Sequence, residues 1–204
     1  VCIAGYTNSR DYPVTPNALQ KNHTGSSLHV CKLSAEGNRL LYATYFGGSS
    51  SSEYFHGLAV DKTGNAYLIG NTESSDFPIT PRCLDSTLSH NTGEVSSPNG
   101  FVSKIDATGS RLIYSTFLFH ADPWAITIDS LNHAYIAGKW LRVQNFIFPA
   151  TSGAYQPDYL ADDDATVLDT FLCKLSPDGN TFVFSTFLFR AWIEGIALDR
   201  KNNI

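Results

Sequence analysis

The sequence predicts an all-β chain built as a β-propeller, and three observations carry that reading. The same ordered blocks recur three times at a spacing of about 70 residues, each copy holds four short β-like runs, and turn chemistry separates the runs. One block, Gly5-Tyr6-Thr7-Asn8-Ser9-Arg10-Asp11-Tyr12-Pro13-Val14-Thr15-Pro16, returns as Gly70-Asn71-Thr72-Glu73-Ser74-Ser75-Asp76-Phe77-Pro78-Ile79-Thr80-Pro81, and more loosely from Gly138 to Phe148-Pro149-Ala150-Thr151. A second, Lys32-Leu33-Ser34-Ala35-Glu36-Gly37 through Leu41-Tyr42-Ala43-Thr44, returns at 104–116 and 174–186. A third, Gly57-Leu58-Ala59-Val60-Asp61, returns at 125–129 and 195–199.

Taken in order, the first strand of each copy is Ala66-Tyr67-Leu68-Ile69-Gly70, matching 1–5 and 134–138. The second is Phe101-Val102-Ser103-Lys104-Ile105, matching 30–33 and 171–175. The third is 112–117, matching 40–45 and 181–187. The fourth is the 125–129 run with its two counterparts. All are rich in β-branched and aromatic residues, and Glu36-Gly37-Asn38, Thr63-Gly64-Asn65 and Asp178-Gly179-Asn180 supply tight turns between them. No segment carries a helical stripe of useful length. A β-sandwich uses similar strands but gives no reason for a four-strand pattern to recur in phase three times.

The phase of the repeats predicts two whole blades plus one split between the two ends of the sequence. As repeats of one continuous propeller domain, they run 1–65, 66–133 and 134–204. Closure takes about 4–8 blades, and uncovered sheet edges are aggregation templates. The expected partners are therefore further blades, from the same longer chain or from neighbouring copies joined head to tail by strand exchange into rings or filaments. The absence of Met reads as a processed product or an excerpt.

Bulk properties narrow the function classes. A net charge of −5 with 14 Lys+Arg argues against a nucleic-acid or anionic-membrane surface, and no apolar run of about 18 residues offers a membrane span. Four cysteines without CxxC spacing do not indicate zinc. Cys31 and Cys173 share a repeat position held by Ser103 in the middle copy, and Cys2 stands where the other copies have Tyr67 and Tyr135. They read as small side chains in sheets, with a Cys2–Cys31 bridge as the alternative. Asn22-His23-Thr24 is an N-glycosylation sequon, making Asn22 a candidate acceptor.

Together, the Tyr67-Leu68-Ile69-Gly70 strand, the Thr72 to Pro81 block with its Asp76-Phe77-Pro78, the Lys32-Leu33 and Leu41-Tyr42-Ala43-Thr44-Tyr45 stretches, and Gly57-Leu58-Ala59-Val60-Asp61-Lys62-Thr63-Gly64-Asn65 resemble the SBBP family of β-propeller repeats over essentially the whole chain. The 57–70 stretch is also similar to NHL-type propeller repeats, which implies a strand order, inner to outer, that begins with the Gly-Leu-Ala-Val-Asp run. The resemblance implies a large secreted or cell-surface bacterial protein with adhesion-type neighbours. Two departures stand out. Gly47-Gly48 is replaced by Phe119-His120 and Phe189-Arg190 in the other copies, and Ile147 stands where Asp precedes the Phe-Pro pair. A small-ligand site repeated in every blade is therefore not expected.

Long loops at 8–29, 71–100 and 139–169 gather on one face, where binding usually lives. Their Asp11-Tyr12-Pro13, Asp76-Phe77-Pro78 and Phe148-Pro149 elements read as packing of each loop onto its own blade. Asp162-Asp163-Asp164 offers carboxylates to Ca²⁺ but lacks the Gly turn and alternating ligands of a calcium loop. No other cofactor is expected. Links into the innermost strand place His56, His120, Asp122, Trp124, Arg190, Trp192 and Glu194 at a channel mouth, with His56, Trp124 and Glu194 at one repeat position. Aromatic faces beside charge suit a sugar, a peptide or a cationic group. His56, His120 and Glu194 also permit a metal-dependent lyase or hydrolase, but no catalytic motif is complete. Asp61, Asp129 and Asp199 read as turn residues, and Lys32, Lys104 and Lys174 as strand residues whose stems cover a sheet face. The reading is a non-enzymatic, secreted or surface propeller serving structure, adhesion or assembly, including into filaments. Glycan or peptide binding is the alternative and metal-dependent catalysis a third reading.

Overall fold

The computed structural model describes residues 1–22, 27–49, 53–88, 99–119, 121–140, 148–159, 169–188 and 191–204. These form eleven strands: β1 (Cys2–Thr7), β2 (Ser27–Leu33), β3 (Leu40–Phe46), β4 (Glu53–Val60), β5 (Ala66–Thr72), β6 (Asn99–Ile105), β7 (Leu112–Phe117), β8 (Ala121–Ile128), β9 (Ala134–Trp140), β10 (Asp169–Leu175) and β11 (Phe182–Phe187). They build three antiparallel sheets of sequential neighbours, β1-β2-β3, β4-β5-β6-β7 and β8-β9-β10-β11. This is the all-β repeat architecture the sequence predicts. Sheets meet mainly through their first strands, with β8 against β4, β5 and β6, and β1 and β2 against β4, so they diverge from a common inner side.

Two hydrophobic cores fill the two seams. Leu28, Val30, Tyr42, Phe46, Ala66, Leu68, Phe101 and Phe117 pack between the first and second sheets. Tyr67, Ile69, Val102, Tyr114, Ala134, Ile136 and Trp140 belong to the cluster between the second and third. Alternate residues of β5 thus enter opposite cores, because successive side chains of a strand point to opposite faces. That is why Ala66-Tyr67-Leu68-Ile69 reads as a continuous apolar run, and all of β5 is buried. β1 holds the same repeat position, yet Ile3 and Tyr6 are 43% and 49% exposed.

The structure places three things differently from the sequence reading. The 53–56 and 121–124 links do not form loops but the first halves of β4 and β8. The 195–199 run, a strand in the other two copies, belongs to no sheet. All four cysteines are free, so the Cys2–Cys31 alternative is not formed; Cys2 Sγ instead lies 3.6 Å from the Tyr42 hydroxyl.

Candidate functional site at the inner edge of the sheets

Each complete sheet carries a bulge in its inner strand. Pairing slips between Phe55 and Gly57 against β5, and between Pro123 and Ala125 against β9. His56 and Trp124 are therefore the extra residues, and a bulge redirects the side chain it adds. The bulge also brings a carbonyl over the facing glycine. A Cβ on Gly70 would lie 1.8 Å from the Tyr54 oxygen, and one on Gly138 2.1 Å from the Asp122 oxygen. Gly70 and Gly138, each ending the first run of its repeat, thus answer to the bulge opposite them.

The bulges bring three of the predicted residues together, and Lys139 links a fourth, Trp192, to them. The His56 ring stacks on Trp124 at 4.8 Å and 21°. His56 Nδ1 lies 2.7 Å from the Pro123 carbonyl, so this nitrogen carries the proton and donates. It is also 3.5 Å from Asp122 Oδ1. Asp122 accepts hydrogen bonds from Trp124 Nε1 at 2.8 Å and from Asn71 Nδ2 at 2.6 Å. The Lys139 ammonium sits over two indoles, 4.7 Å from the Trp124 ring and 3.3 Å from that of Trp192. Glu194 stays exposed and makes no hydrogen bond or ion pair with this group among the described residues. His120, Arg190 and the Asp162-Asp163-Asp164 run lie outside the described residues. Asn22 is exposed.

Sequence reasoning missed Asn71 and Lys139. Both directly follow the repeated glycine, as does Tyr6, and all three make the same kind of contact. Tyr6 Oη accepts the Phe55 N–H at 2.6 Å, Asn71 bonds Asp122, and Lys139 covers Trp192. Tyr6 and Asn71 thus reach the inner strand of the next sheet, and Lys139 reaches Trp192 at the corresponding repeat position. This rule was legible only as a position, since Tyr, Asn and Lys share no chemistry.

The turn aspartates have a second role. Asp61 accepts from the Thr63 and Asn65 amides at 3.0 Å each, as a turn residue should. It also faces the Lys104 ammonium at 3.4 Å, which lies 4.7 Å from the Tyr67 ring centroid. Asp129, Lys174 and Tyr135 repeat the arrangement at 3.1 Å and 4.7 Å. Burial pushes the Asp61 carboxyl up, but Thr63, Asn65 and Lys104 outweigh it and hold it at about 2. Asp129 is lowered by the same balance, with burial opposed by His133, Lys174 and Leu131. Lys104 and Lys174, read as strand cover, are thus also paired cations beneath the turn.

The repeat geometry (bulge, glycine, Asp turn and Phe-Pro loop) runs from the third strand of one sheet into the β5–β6 loop of the next. Residues 41–78 match the family model of the SBBP beta-propeller repeat. No curated protein matches the chain. The SBBP match begins in β3 and ends at Phe77-Pro78, so it includes the Tyr6–Phe55 seam from the β4 side and the whole His56 bulge. Phe77 of the SBBP stretch is buried against Phe101 and Phe117 of its own sheet, at 4.5 and 6.1 Å, and against Phe46 of the preceding one at 5.4 Å. Its loop therefore closes a seam as well as covering its own blade.

Chemically, the inner edge presents fixed donors and acceptors turned toward neighbouring sheets. Among the described residues no three His, Cys, Asp or Glu side chains converge as metal ligands. A separate cleft of about 650 Å³ between β3 and the β6–β7 turn is lined by residues such as Pro16, Leu41, Tyr42, Ala107 and Ser110, with no carboxylate, imidazole or amine among them.

Proposed function

We propose that this chain is a non-enzymatic propeller segment, exposed at the cell surface or secreted, whose role is structural, adhesive or assembly-forming. One observation supports it above others: the residues with the most chemical potential at the inner edge are engaged in holding sheet to sheet. Asp122 accepts hydrogen bonds from Asn71 and Trp124, while His56 gives its Nδ1–H to the Pro123 carbonyl and stacks its ring on Trp124. The extracellular placement rests on the likeness to SBBP repeats and on the exposed Asn22 sequon.

The test is a His56→Ala, Asp122→Ala variant. Loss of these seam contacts should lower the thermal midpoint by several degrees, since about 1–3 kcal/mol of hydrogen bonding goes with them. Binding on a glycan array and hydrolysis of generic esters and glycosides should be the same as for the parent. Loss of a measurable binding or hydrolytic activity with an unchanged midpoint would overturn the reading.

A second reading, glycan or peptide binding, is favoured by Trp192 and Trp124, 76% and 41% exposed, flanking the Lys139 ammonium. Two indole faces around a cation suit a sugar bearing a carboxylate. Trp192→Ala should then abolish array binding to acidic glycans while leaving the fold intact.

A further inference from the structure

We propose that the seam between the first and second sheets holds a calcium ion through the Glu53 and Asp76 carboxylates. None of the residues involved belongs to the His56 and Asp122 group.

The chain converges on this place from three segments. Gly47-Gly48-Ser49 leaves β3 of the first sheet, Glu53 opens β4 of the second, and Ser74 and Asp76 stand in the loop after β5. Glu53 Oε1 accepts from the Gly48 amide at 3.0 Å and from the Ser74 hydroxyl at 2.5 Å. Asp76 Oδ1 accepts from the Ser49 amide at 2.8 Å and from the Ser49 hydroxyl at 3.1 Å. Both acids therefore close on the Gly48-Ser49 corner. A Cβ on Gly48 would lie 2.6 Å from Asp76 Oδ1 and 2.6 Å from Ser74 Oγ, so only glycine lets the loop come this near.

One oxygen of this cradle is left over. Glu53 is 2% exposed, and its Oε2 is buried without a hydrogen-bond partner. A carboxylate oxygen buried in that way is costly and marks a place where a water or an ion belongs. The electrostatics favour the ion. Burial pushes the Glu53 carboxyl up, against the hydrogen bonds from Ser74 and Gly48, and the Asp76 charge raises it further. Asp76 is held below the ordinary carboxylate range, chiefly by the Ser49 amide, and so stays ionised. A water would satisfy the orphaned oxygen but leave the two acids repelling each other. A cation answers both.

The other seam of the same molecule provides a comparison. There Phe119-His120 replaces Gly47-Gly48, Ala121 replaces Glu53 at the start of β8, and Ile147 replaces the Asp before Phe-Pro. The glycine pair and both carboxylates are thus present together in one seam and missing together from the other. They behave as parts of one unit.

The donor set decides which cation. It consists of two carboxylates and a hydroxyl, with no imidazole or thiol in these hydrogen bonds. Oxygen donors suit Ca²⁺, which takes about 6–8 of them in flexible geometry, rather than zinc or copper. Two carboxylates balance its charge, and hydroxyl, backbone and water oxygens complete the shell. So small a ligand charge implies a weak site, with a Kd of about 10⁻⁴–10⁻³ M.

Calorimetric titration of the chelator-stripped full chain with CaCl₂ at neutral pH tests the site. One ion should bind per chain, and millimolar Ca²⁺ should raise the thermal midpoint by a few degrees over the value in chelator. Mg²⁺ should do less, because it dehydrates reluctantly and demands octahedral geometry. Glu53→Gln keeps an acceptor for the Gly48 amide and removes the charge. In chelator its midpoint should equal or exceed that of the parent, since a desolvated acid is gone. It should bind Ca²⁺ at least about tenfold more weakly and lose the midpoint rise. Asp76→Asn should weaken binding likewise. Asp11→Asn, at the matching position of the first copy, should leave binding as in the parent, and so should Asp162→Asn, Asp163→Asn and Asp164→Asn combined.

No binding of Ca²⁺ at millimolar concentration would overturn the proposal. Binding that survives both Glu53→Gln and Asp76→Asn, or that is lost in the triple Asn variant, would do the same by placing the ion elsewhere. A Glu53→Gln midpoint lowered equally with and without Ca²⁺ would reduce the cradle to a hydrogen-bonded clasp between sheets.

Discussion

Lys104 and Lys174 show what a strand-position reading leaves out and why. Lys104 is 5% exposed, and an ammonium at that depth is tolerated only with a partner. Asp61 supplies the charge and the Tyr67 ring a polarisable face. The folded Asp61 carboxyl at about 2 lies below its unfolded value of about 3.9. Its contribution to stability is therefore fully present above about pH 4 and is lost as the pH falls through about 2. Urea midpoints measured from pH 5 to pH 2 should fall steeply for the parent and less steeply for Asp61→Asn, whose midpoint at pH 5 should already be lower. An equal slope would show that Asp61 does not carry the linkage. Gly70 offers a second residue-scale test. Gly70→Ala forces a Cβ to within 1.8 Å of the Tyr54 oxygen and should cost about 3 kcal/mol in chemical denaturation. Gly5→Ala at the matching position should cost almost nothing.

At the scale of elements, the apolar runs, turn glycines and block order were enough to place strands of every sheet, because pattern period and turn chemistry are local properties. Strand starts were not. β4 and β8 begin before their Gly-Leu-Ala-Val and Ala-Ile-Thr-Ile runs because a bulge lets Glu53-Tyr54-Phe55 and Ala121-Asp122-Pro123 rejoin the ladder. A bulge depends on the partner strand, so nothing in the run itself announces it. The loop aromatics illustrate the legible side. Phe148 is fully buried, 4.8 Å from the Phe171 ring and 5.9 Å from that of Phe187, both in its own sheet. Phe148→Ala should cost about 3–5 kcal/mol, while Tyr155→Ala, at an exposed site in the same loop, should change the midpoint little. Equal effects would mean that the loop is not seated on its sheet through Phe148.

For the whole molecule, the second sheet is decisive because both cores lie on it. Hydrogen exchange should reflect that distribution of burial. The β5 and β6 amides should be the slowest, exchanging only on global unfolding. Those of β1 that face away from β2, and those of 193–198, should be the fastest, and uniform protection would contradict this distribution of burial.

The sequence by itself determined the repeat, the strand content, the turn positions and the loop aromatics, since each depends on residues near one another in the chain. It also gathered His56, Asp122, Trp124 and Trp192, with His120, Arg190 and Glu194, at a channel mouth as links into the innermost strands. Only the tertiary structure decided what they do: the approach of one sheet to the next set Asn71 on Asp122, His56 on Trp124 and Lys139 on Trp192. A repeat fixes what each unit offers, but only packing fixes which offers are met, because the contacts that satisfy a buried charge or a sheet edge come from a different part of the fold.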